Sequence, residues 1–159
     1  MAYLNSVSAS NVNYSADVSI NVAATGGGVY QTLIARHSGT SDYRAKAVIG
    51  SNGAATLILT KLVSGTETTL KSVTVTGLTY TAGDVLHVRF VLTGSGTTAL
   101  SAKAWKGVNE PTAYQATTTD TTASLQGVGS IGWQSYLSGS STNAPVISTV
   151  DNISVGSPN

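Results

Sequence analysis

Apolar and polar residues alternate along most of this chain, with the period of two that is typical of β-strands burying one face. From Tyr14 to Val22 every even-numbered residue is apolar and every odd-numbered residue is polar. Turn residues separate further runs of this kind; among them, Asn52-Gly53 is a strong hairpin signal. No useful length of the chain has a helical period. The runs that predict strands cover residues 14–22, 29–37, 43–50, 54–63, 67–75, 85–93, 98–105, 129–137 and 146–155.

Short strands at regular spacing, each followed by a turn, favour an all-β fold. We predict a two-sheet antiparallel β-sandwich of about ten to twelve strands, in a single domain over residues 1–159. The closing runs Gly129–Leu137 and Val146–Val155 support it, because strands this apolar need pairing inside a sheet. Residues 1–12 are interpreted as an N-terminal arm or an edge strand.

Residues 106–126 form the longest stretch without a strand pattern. It contains the loop Gly107–Pro111 and the polar tract Thr117–Thr122, which has no apolar face, while Ala123–Gln126 could make one helical turn. Long ordered loops on a sandwich often carry function. A surface crossover between the two sheets is the equally open alternative.

Composition excludes several classes of function. Eight Lys and Arg against seven Asp and Glu leave a net charge of +1, which argues against binding of nucleic acid or anionic lipid as the main activity. Charged residues make up only 9% of the chain, so Ser, Thr, Asn and Gly must provide solubility. There is no cysteine, no apolar run long enough to span a membrane and no signal-peptide pattern at the N-terminus. We therefore expect a soluble protein, made in the cytoplasm or excised as a mature domain.

Three stretches carry a resemblance to a known family. They are Leu33–His37 with Asp42–Arg44, then Gly83–Phe90, and finally Gly129–Trp133 with Val150–Ile153. In order along the chain, these segments resemble the concanavalin A-like, laminin G-like jelly roll. The resemblance is to domains appended to secreted actinobacterial proteins and to phage virion proteins, especially tail or decoration components. This fold hosts glycan binding, adhesion, hydrolysis and plain scaffolding, so the resemblance leaves the function open.

The residues argue against an enzyme, and we predict no catalytic residue. Glycosidases need two carboxylates flanking the scissile bond, and the related jelly-roll glucanases carry theirs as a closely spaced acidic cluster on one strand. Here the only glutamates are Glu67 and Glu110, and no strand has two acidic residues at positions i and i+2. His37 and His87 lack a nucleophile elbow, and two histidines are too few for a His-rich zinc site.

No cofactor is predicted, but a structural calcium is an open alternative. The resemblance implies a calcium near the paired terminal strands. Asp151 and Asp17 would be neighbours there if their strands pair, and hard oxygen ligands suit calcium. The alternative, which we favour, is that Asp151 and Asn152 make ordinary hydrogen bonds at a bulge or strand end.

Glycan contact is the binding chemistry that the sequence permits best, because sugar faces stack on aromatic rings and sugar hydroxyls bond to amides and carboxylates. Trp133 shares a strand face with Ile131 and Leu137 and is interpreted as core. In each candidate pair, packing at a sheet rim is the alternative to ligand contact. The candidate ligand-binding residues are Trp105 with Tyr114, Arg36 with Tyr43, and Gln134 with Tyr136.

The leading hypothesis is a non-catalytic surface module for attachment or glycan contact, on a phage virion. The alternatives are a purely structural capsid or tail decoration protein without a ligand, and a carbohydrate-binding module from a secreted bacterial enzyme. The expected partners are a cell-surface glycan or other virion proteins, and the expected location is the virion surface or the extracellular space. The sequence leaves a homo-oligomer open, since no coiled-coil heptad is present to enforce one.

Overall fold

The computed structural model describes residues 1–158, which form two antiparallel β-sheets packed face to face. The six-stranded sheet has the order β1-β10-β3-β4-β5-β6, and the five-stranded sheet has the order β11-β2-β7-β8-β9. The all-β sandwich and its predicted number of strands are thereby confirmed. The strands are β1 Ala2–Ala9, β2 Val12–Ile20, β3 Val29–Ser38, β4 Ser41–Ile49, β5 Ala54–Val63, β6 Thr66–Thr79, β7 Leu86–Thr93, β8 Thr98–Trp105, β9 Ala116–Asp120, β10 Gly129–Leu137 and β11 Ser148–Gly156.

The alternating pattern of the sequence places the core between the sheets. In β2 the even-numbered residues are buried and the odd-numbered ones are partly exposed, and β7 shows the same alternation. The five-stranded sheet contributes Tyr14 and Phe90 to the core, and the six-stranded sheet contributes Leu33 and Leu57. No helix among the described residues is both long enough and apolar enough to cross a membrane.

The N-terminal segment is an edge strand, one of the two alternatives predicted for it. β1 pairs with β10 on the edge of the six-stranded sheet. Of the two closing runs, β10 is internal, between β1 and β3, as predicted. The second, β11, pairs with β2 but lies at a sheet edge, and Ile153 is 44% exposed. Both runs are thus paired in a sheet, as expected, but β11 is an edge strand that pairs on one side alone.

The expected irregular stretch 106–126 contains a strand. β9 pairs with β8 from Ala102↔Ala116 to Thr98↔Asp120, and it buries Ala116 and Asp120 at its two ends. A tract of threonines lacks an apolar face, yet threonine fits a pleated edge strand well. The predicted helical turn is confirmed as a single 3-10 turn over Ala123–Leu125. The irregular loop proper is therefore shorter than predicted and runs from 106 to 115.

Candidate functional site

The outer face of the five-stranded sheet carries a row of polar and aromatic side chains. Strand register sets Asp17 of β2 opposite His87 of β7, and His87 opposite Trp105 of β8. All three have the parity that points away from the core. Asp17 Oδ1 lies 2.5 Å from His87 Nδ1, and the His87 ring stacks on the Trp105 indole with 5.2 Å between centroids. Asp17 thus holds the His87 ring, and His87 covers one side of the indole.

The next row across the same face consists of Arg89 and Lys103, which are also register partners. Glu110, from the loop after β8, lies over them. Its Oε1 accepts a hydrogen bond from Arg89 Nε at 2.7 Å and lies 2.9 Å from Lys103 Nζ. Lys103 Nζ also donates to the carbonyl oxygen of Pro111 at 2.7 Å. These contacts bind the loop 106–115 to the outer face of the sheet.

A groove with two hollows follows from this arrangement. One hollow, of about 680 Å³, has Trp105, His87 and Asp17 on its sheet side and Val108 on its loop side. The other, of about 430 Å³, is lined by Asn13, Arg89 and Tyr114. Glu110 borders both hollows and separates them. We call the two hollows together the Trp105 groove.

The groove joins apolar surface to fixed hydrogen-bonding groups. Trp105 is partly exposed, and the neighbouring Val85 and Val108 are 47% and 96% exposed. Asp84 in the same hollow is paired with Lys106 Nζ. Each carboxylate of the groove therefore has a cationic or imidazole partner, so local charge is nearly balanced. Such a surface suits a neutral ligand that has one apolar face and several hydroxyls.

Two carboxylates of the groove, Glu110 and Asp84, are held in their ionised form. Burial acts to raise the pKa of Glu110, but hydrogen bonds from Lys103 and Arg89 outweigh it and leave the pKa below its usual value. The pKa of Asp84 is lowered by the hydrogen bond from Lys106 and by the backbone N–H of Thr81. The carboxylates of Glu110 and Asp84 are therefore hydrogen-bond acceptors at neutral pH and can accept hydrogen bonds from hydroxyl groups.

Trp105 and Tyr114 lie at opposite ends of this groove, so the structure brings the first predicted pair to one surface. Trp105 is the last residue of β8. Tyr114 comes from the loop 106–115, and Lys103 Nζ lies 4.8 Å from the centre of its ring. A cation over one face of a tyrosine ring orients the ring and leaves its opposite face free for another contact.

The prediction of a recognition surface at Arg36 and Tyr43 is wrong, because both are buried. Arg36 is 2% exposed and Tyr43 is 0% exposed. The φ angle of Arg36 is 52°, at a bulge in β3, and this turns its side chain inward. The guanidinium donates to the carbonyl oxygens of Ser10, Gly94 and Leu125 and to the hydroxyl of Thr98. It joins the turns at one end of the sandwich and is closed to a ligand.

Tyr43 belongs to a second buried network. Its hydroxyl donates to Asp120 Oδ2 at 2.8 Å, and Lys61 Nζ donates to Asp120 Oδ1 at 2.7 Å. Burial, followed by the hydrogen bond to Asp120, raises the pKa of Tyr43 to about 12. This network connects the six-stranded sheet to β9 and holds the two sheets together.

Gln134 and Tyr136 lie on the other sheet, away from the Trp105 groove. Both point outward from β10, as predicted, and Tyr136 is 52% exposed. Trp133, the residue before Gln134, is partly buried and packs against the core, which confirms its interpretation. The predicted ligand-binding residues thus fall on two opposite faces of the sandwich and in its interior.

The calcium candidates are neighbours, since Asp151 and Asp17 are register partners in the β11–β2 pair. Both oxygens of Asp17 already have hydrogen-bond partners: His87 on Oδ1 and the Asn152 side chain on Oδ2 at 2.8 Å. Asp151 Oδ1 accepts from the backbone N–H of Asn152, at a bulge in β11. Residues 1–158 contain no cluster of three or more His, Asp or Glu side chains that could hold a metal ion. Asp151 and Asn152 make hydrogen bonds at a bulge, which is the arrangement that the alternative interpretation describes.

Several groups of the groove are not among the candidate residues predicted from the sequence. Asp84 lies directly before the predicted strand 85–93, and Val85 is the first residue of that run. Lys106 and Val108 lie in a loop without a pattern. Strand register could have indicated these residues. His87 and Trp105 are register partners near the ends of β7 and β8, so the loops next to those strand ends lie beside them.

No protein-family model matches the chain, and no curated protein matches it by sequence. Its fold is similar to that of the carbohydrate-binding module CBM66 from Bacillus subtilis, with a TM-score of 0.64, 12% identity, and 96% of this chain and 78% of that chain covered. It is also similar to part of the GH43 protein BlXynB from Bacillus licheniformis, with a TM-score of 0.54 and 12% identity. There the match covers 90% of this chain but only 26% of the other. At this level of identity, the likeness establishes the β-sandwich fold.

Proposed function

We propose that this chain is a non-catalytic module that binds a neutral carbohydrate in the Trp105 groove. The observation that carries the proposal is the partly exposed Trp105 indole, which His87 orients from one side. Carboxylate acceptors border the same hollow. An apolar ring face beside fixed acceptors is the arrangement that a sugar ring needs. The fold similarity to a carbohydrate-binding module supports this proposal.

The absence of catalysis is part of the proposal, and the charges of the groove support it. A glycosidase needs one carboxylic acid with a raised pKa to protonate the leaving group. The pKa values of Glu110 and Asp84 are shifted in the opposite direction. The cations around Glu110 also hold it in place as a bridge between sheet and loop.

Binding is tested with a glycan array and a pull-down on purified bacterial cell walls, using wild type and Trp105→Ala. We expect wild type to bind and the variant to lose about tenfold or more in affinity, since it loses the stacking surface. Ile147→Ala is the matched control, because it truncates a 60% exposed apolar side chain outside the groove. Absence of wild-type binding to every saccharide would contradict the proposal.

We further propose that the module is displayed on a phage virion, at the particle surface. The resemblance of the three sequence stretches to virion domains supports this location, as does the low content of charged residues. A second candidate is a carbohydrate-binding module of a secreted bacterial enzyme, which the CBM66 likeness favours. Mass spectrometry of purified particles from the source distinguishes them: the virion proposal expects this chain among the structural proteins. A gene neighbourhood without capsid or tail genes would count against it.

A further inference from the structure

The outer face of the six-stranded sheet holds a separate hollow of about 310 Å³. Its floor and walls come from strands alone. Gln134 of β10 is the register partner of Thr32 of β3, and Thr32 is the partner of Lys46 of β4. In the adjacent row, Tyr136 is opposite Tyr30. Side chains on paired strands are held more rigidly than side chains on loops, so this hollow is formed before any ligand arrives.

Two tyrosines provide the aromatic wall of this hollow. The rings of Tyr30 and Tyr136 meet edge to face, with 5.5 Å between centroids. This contact supports the Tyr136 ring while about half of the residue stays exposed. An exposed ring that a neighbour holds upright offers a stacking surface at small entropic cost.

Charged groups that already have partners form the opposite wall. Lys46 Nζ lies 2.6 Å from Glu67 Oε1, which also accepts from the Thr60 hydroxyl at 2.6 Å. Burial acts to raise the pKa of Glu67, but Lys46 and Thr60 outweigh it, so the side chain is a carboxylate at neutral pH. Arg44 uses Nε and Nη2 on the buried Asp42, which leaves Nη1 for a further acceptor.

The wall therefore offers both donors and acceptors with nearly balanced charge. Gln134 adds an amide, which has both kinds of group. A planar aromatic wall facing such groups fits a neutral saccharide, as in the Trp105 groove, although no residue is shared between the two sites.

We propose that this hollow, which we call the Tyr136 hollow, is a second saccharide site and that the module is bivalent. The inference rests on the proposed carbohydrate binding in the Trp105 groove. The two sites lie on the outer faces of the two sheets, whose inner faces pack against each other, so the sites point in opposite directions. One chain can then bridge two polysaccharide strands, and binding to a dense glycan surface gains from avidity.

The test is calorimetric titration with the soluble oligosaccharide that the glycan array identifies as the best ligand. Wild type is compared with Trp105→Ala, Tyr136→Ala, the double variant and the Ile147→Ala control. We expect two saccharides bound per chain for wild type and the control, one for each single variant and none for the double variant. Wild type should also cross-link the corresponding soluble polysaccharide into a precipitate, and neither single variant should.

The outcomes separate the two proposals. One site in wild type that Trp105→Ala removes and Tyr136→Ala leaves unchanged would overturn the second site and keep the Trp105 groove. One site that only Tyr136→Ala removes would overturn both the bivalency and the assignment to Trp105. No binding of any array glycan by wild type would overturn the proposed function and this inference with it. Circular dichroism of each variant checks that it has the wild-type fold.

Discussion

At the scale of single residues, two buried charged side chains, Arg36 and Asp120, hold parts of the fold together, although charged residues make up only 9% of the chain. Arg36 is an interior cation that neutral oxygen atoms satisfy, three of them backbone carbonyls. Burial lowers its pKa, yet a guanidinium stays charged at any pH that the fold survives. Asp120 is the corresponding interior anion. It accepts from Tyr43, Lys61 and the backbone N–H of Thr122.

Asp120 predicts a specific pH dependence of stability. Burial acts to raise the pKa of its carboxyl, but hydrogen bonds from Lys61 and Thr122 outweigh it and lower the pKa from 3.8 to about 2. The unfolded chain thus binds this proton more readily than the folded one. The stabilisation is complete above pH 3.8 and is lost as the pH falls through about 2. A shift of this size corresponds to about 2 kcal/mol.

We expect Asp120→Asn to be less stable than wild type at pH 7 by about 2 kcal/mol, and to lose correspondingly less stability on acidification. Urea unfolding at a series of pH values from neutral to strongly acidic measures both effects. Asp151→Asn is the control, since Asp151 is exposed. Parallel stability curves for wild type and Asp120→Asn would show that the carboxylate is not held by this network.

The pattern of apolar and polar residues along the chain does not predict these roles of Arg36 and Tyr43. Arg36 and Tyr43 flank a turn, and the sequence predicts them as a pair at the surface. In the structure, a bulge with a left-handed conformation at Arg36 directs the guanidinium inward. Gly129 allows this, because a Cβ atom there would lie 2.4 Å from the carbonyl carbon of Arg36. A bulge and its cross-strand glycine are tertiary features, and alternation along one strand carries no trace of them.

At the scale of elements, the predicted bounds agree best with the structure where turn residues flank a strand. β5, β8 and β10 have the predicted bounds, and Gly and Ser residues lie close to both ends of β5 and β10 and before β8. β9 is not predicted from the sequence because it is short and rich in threonine. Its pairing with β8 identifies it as a strand. β6 extends to Thr79, past its predicted end at Val75, as a largely exposed edge strand with few apolar positions.

A side-chain amide pairs with the backbone of β8 at Ala104, past the last residue of β8 that pairs with β9. Gln115 precedes β9, and its Oε1 accepts from the Ala104 N–H at 2.8 Å while its Nε2 donates to the Ala104 carbonyl at 3.1 Å. The amide thereby continues the ladder by one residue, next to Trp105. Protection of this edge keeps a backbone beside the groove from pairing with another chain.

We expect Gln115→Ala to lower the free energy of unfolding by about 1–2 kcal/mol, because it leaves two backbone groups without their partners. Hydrogen exchange of the Ala104 amide should accelerate at the same time. Thr119→Ala, an exposed position on β9, serves as the control and should change neither quantity. Unchanged exchange at Ala104 in Gln115→Ala would contradict the capping role.

At the scale of the whole molecule, the sandwich separates two outward surfaces with different origins. The Trp105 groove forms where a loop covers one sheet, and the Tyr136 hollow forms on bare strands of the other. The sequence predicted Trp105 with Tyr114 and Gln134 with Tyr136 as candidate pairs. Their neighbours His87 and Lys46 come from the other strands β7 and β4, so strand pairing and register are needed to assemble the sites.

We propose Trp105 as the stacking residue of the Trp105 groove, and the chain contains an internal control for this role. It has two tryptophans, and Trp133 packs against the core. Two-dimensional NMR resolves their two indole N–H signals during titration with the best array oligosaccharide. We expect a saturable shift of the Trp105 indole signal and a stationary Trp133 signal. Binding that leaves the Trp105 signal in place would contradict it.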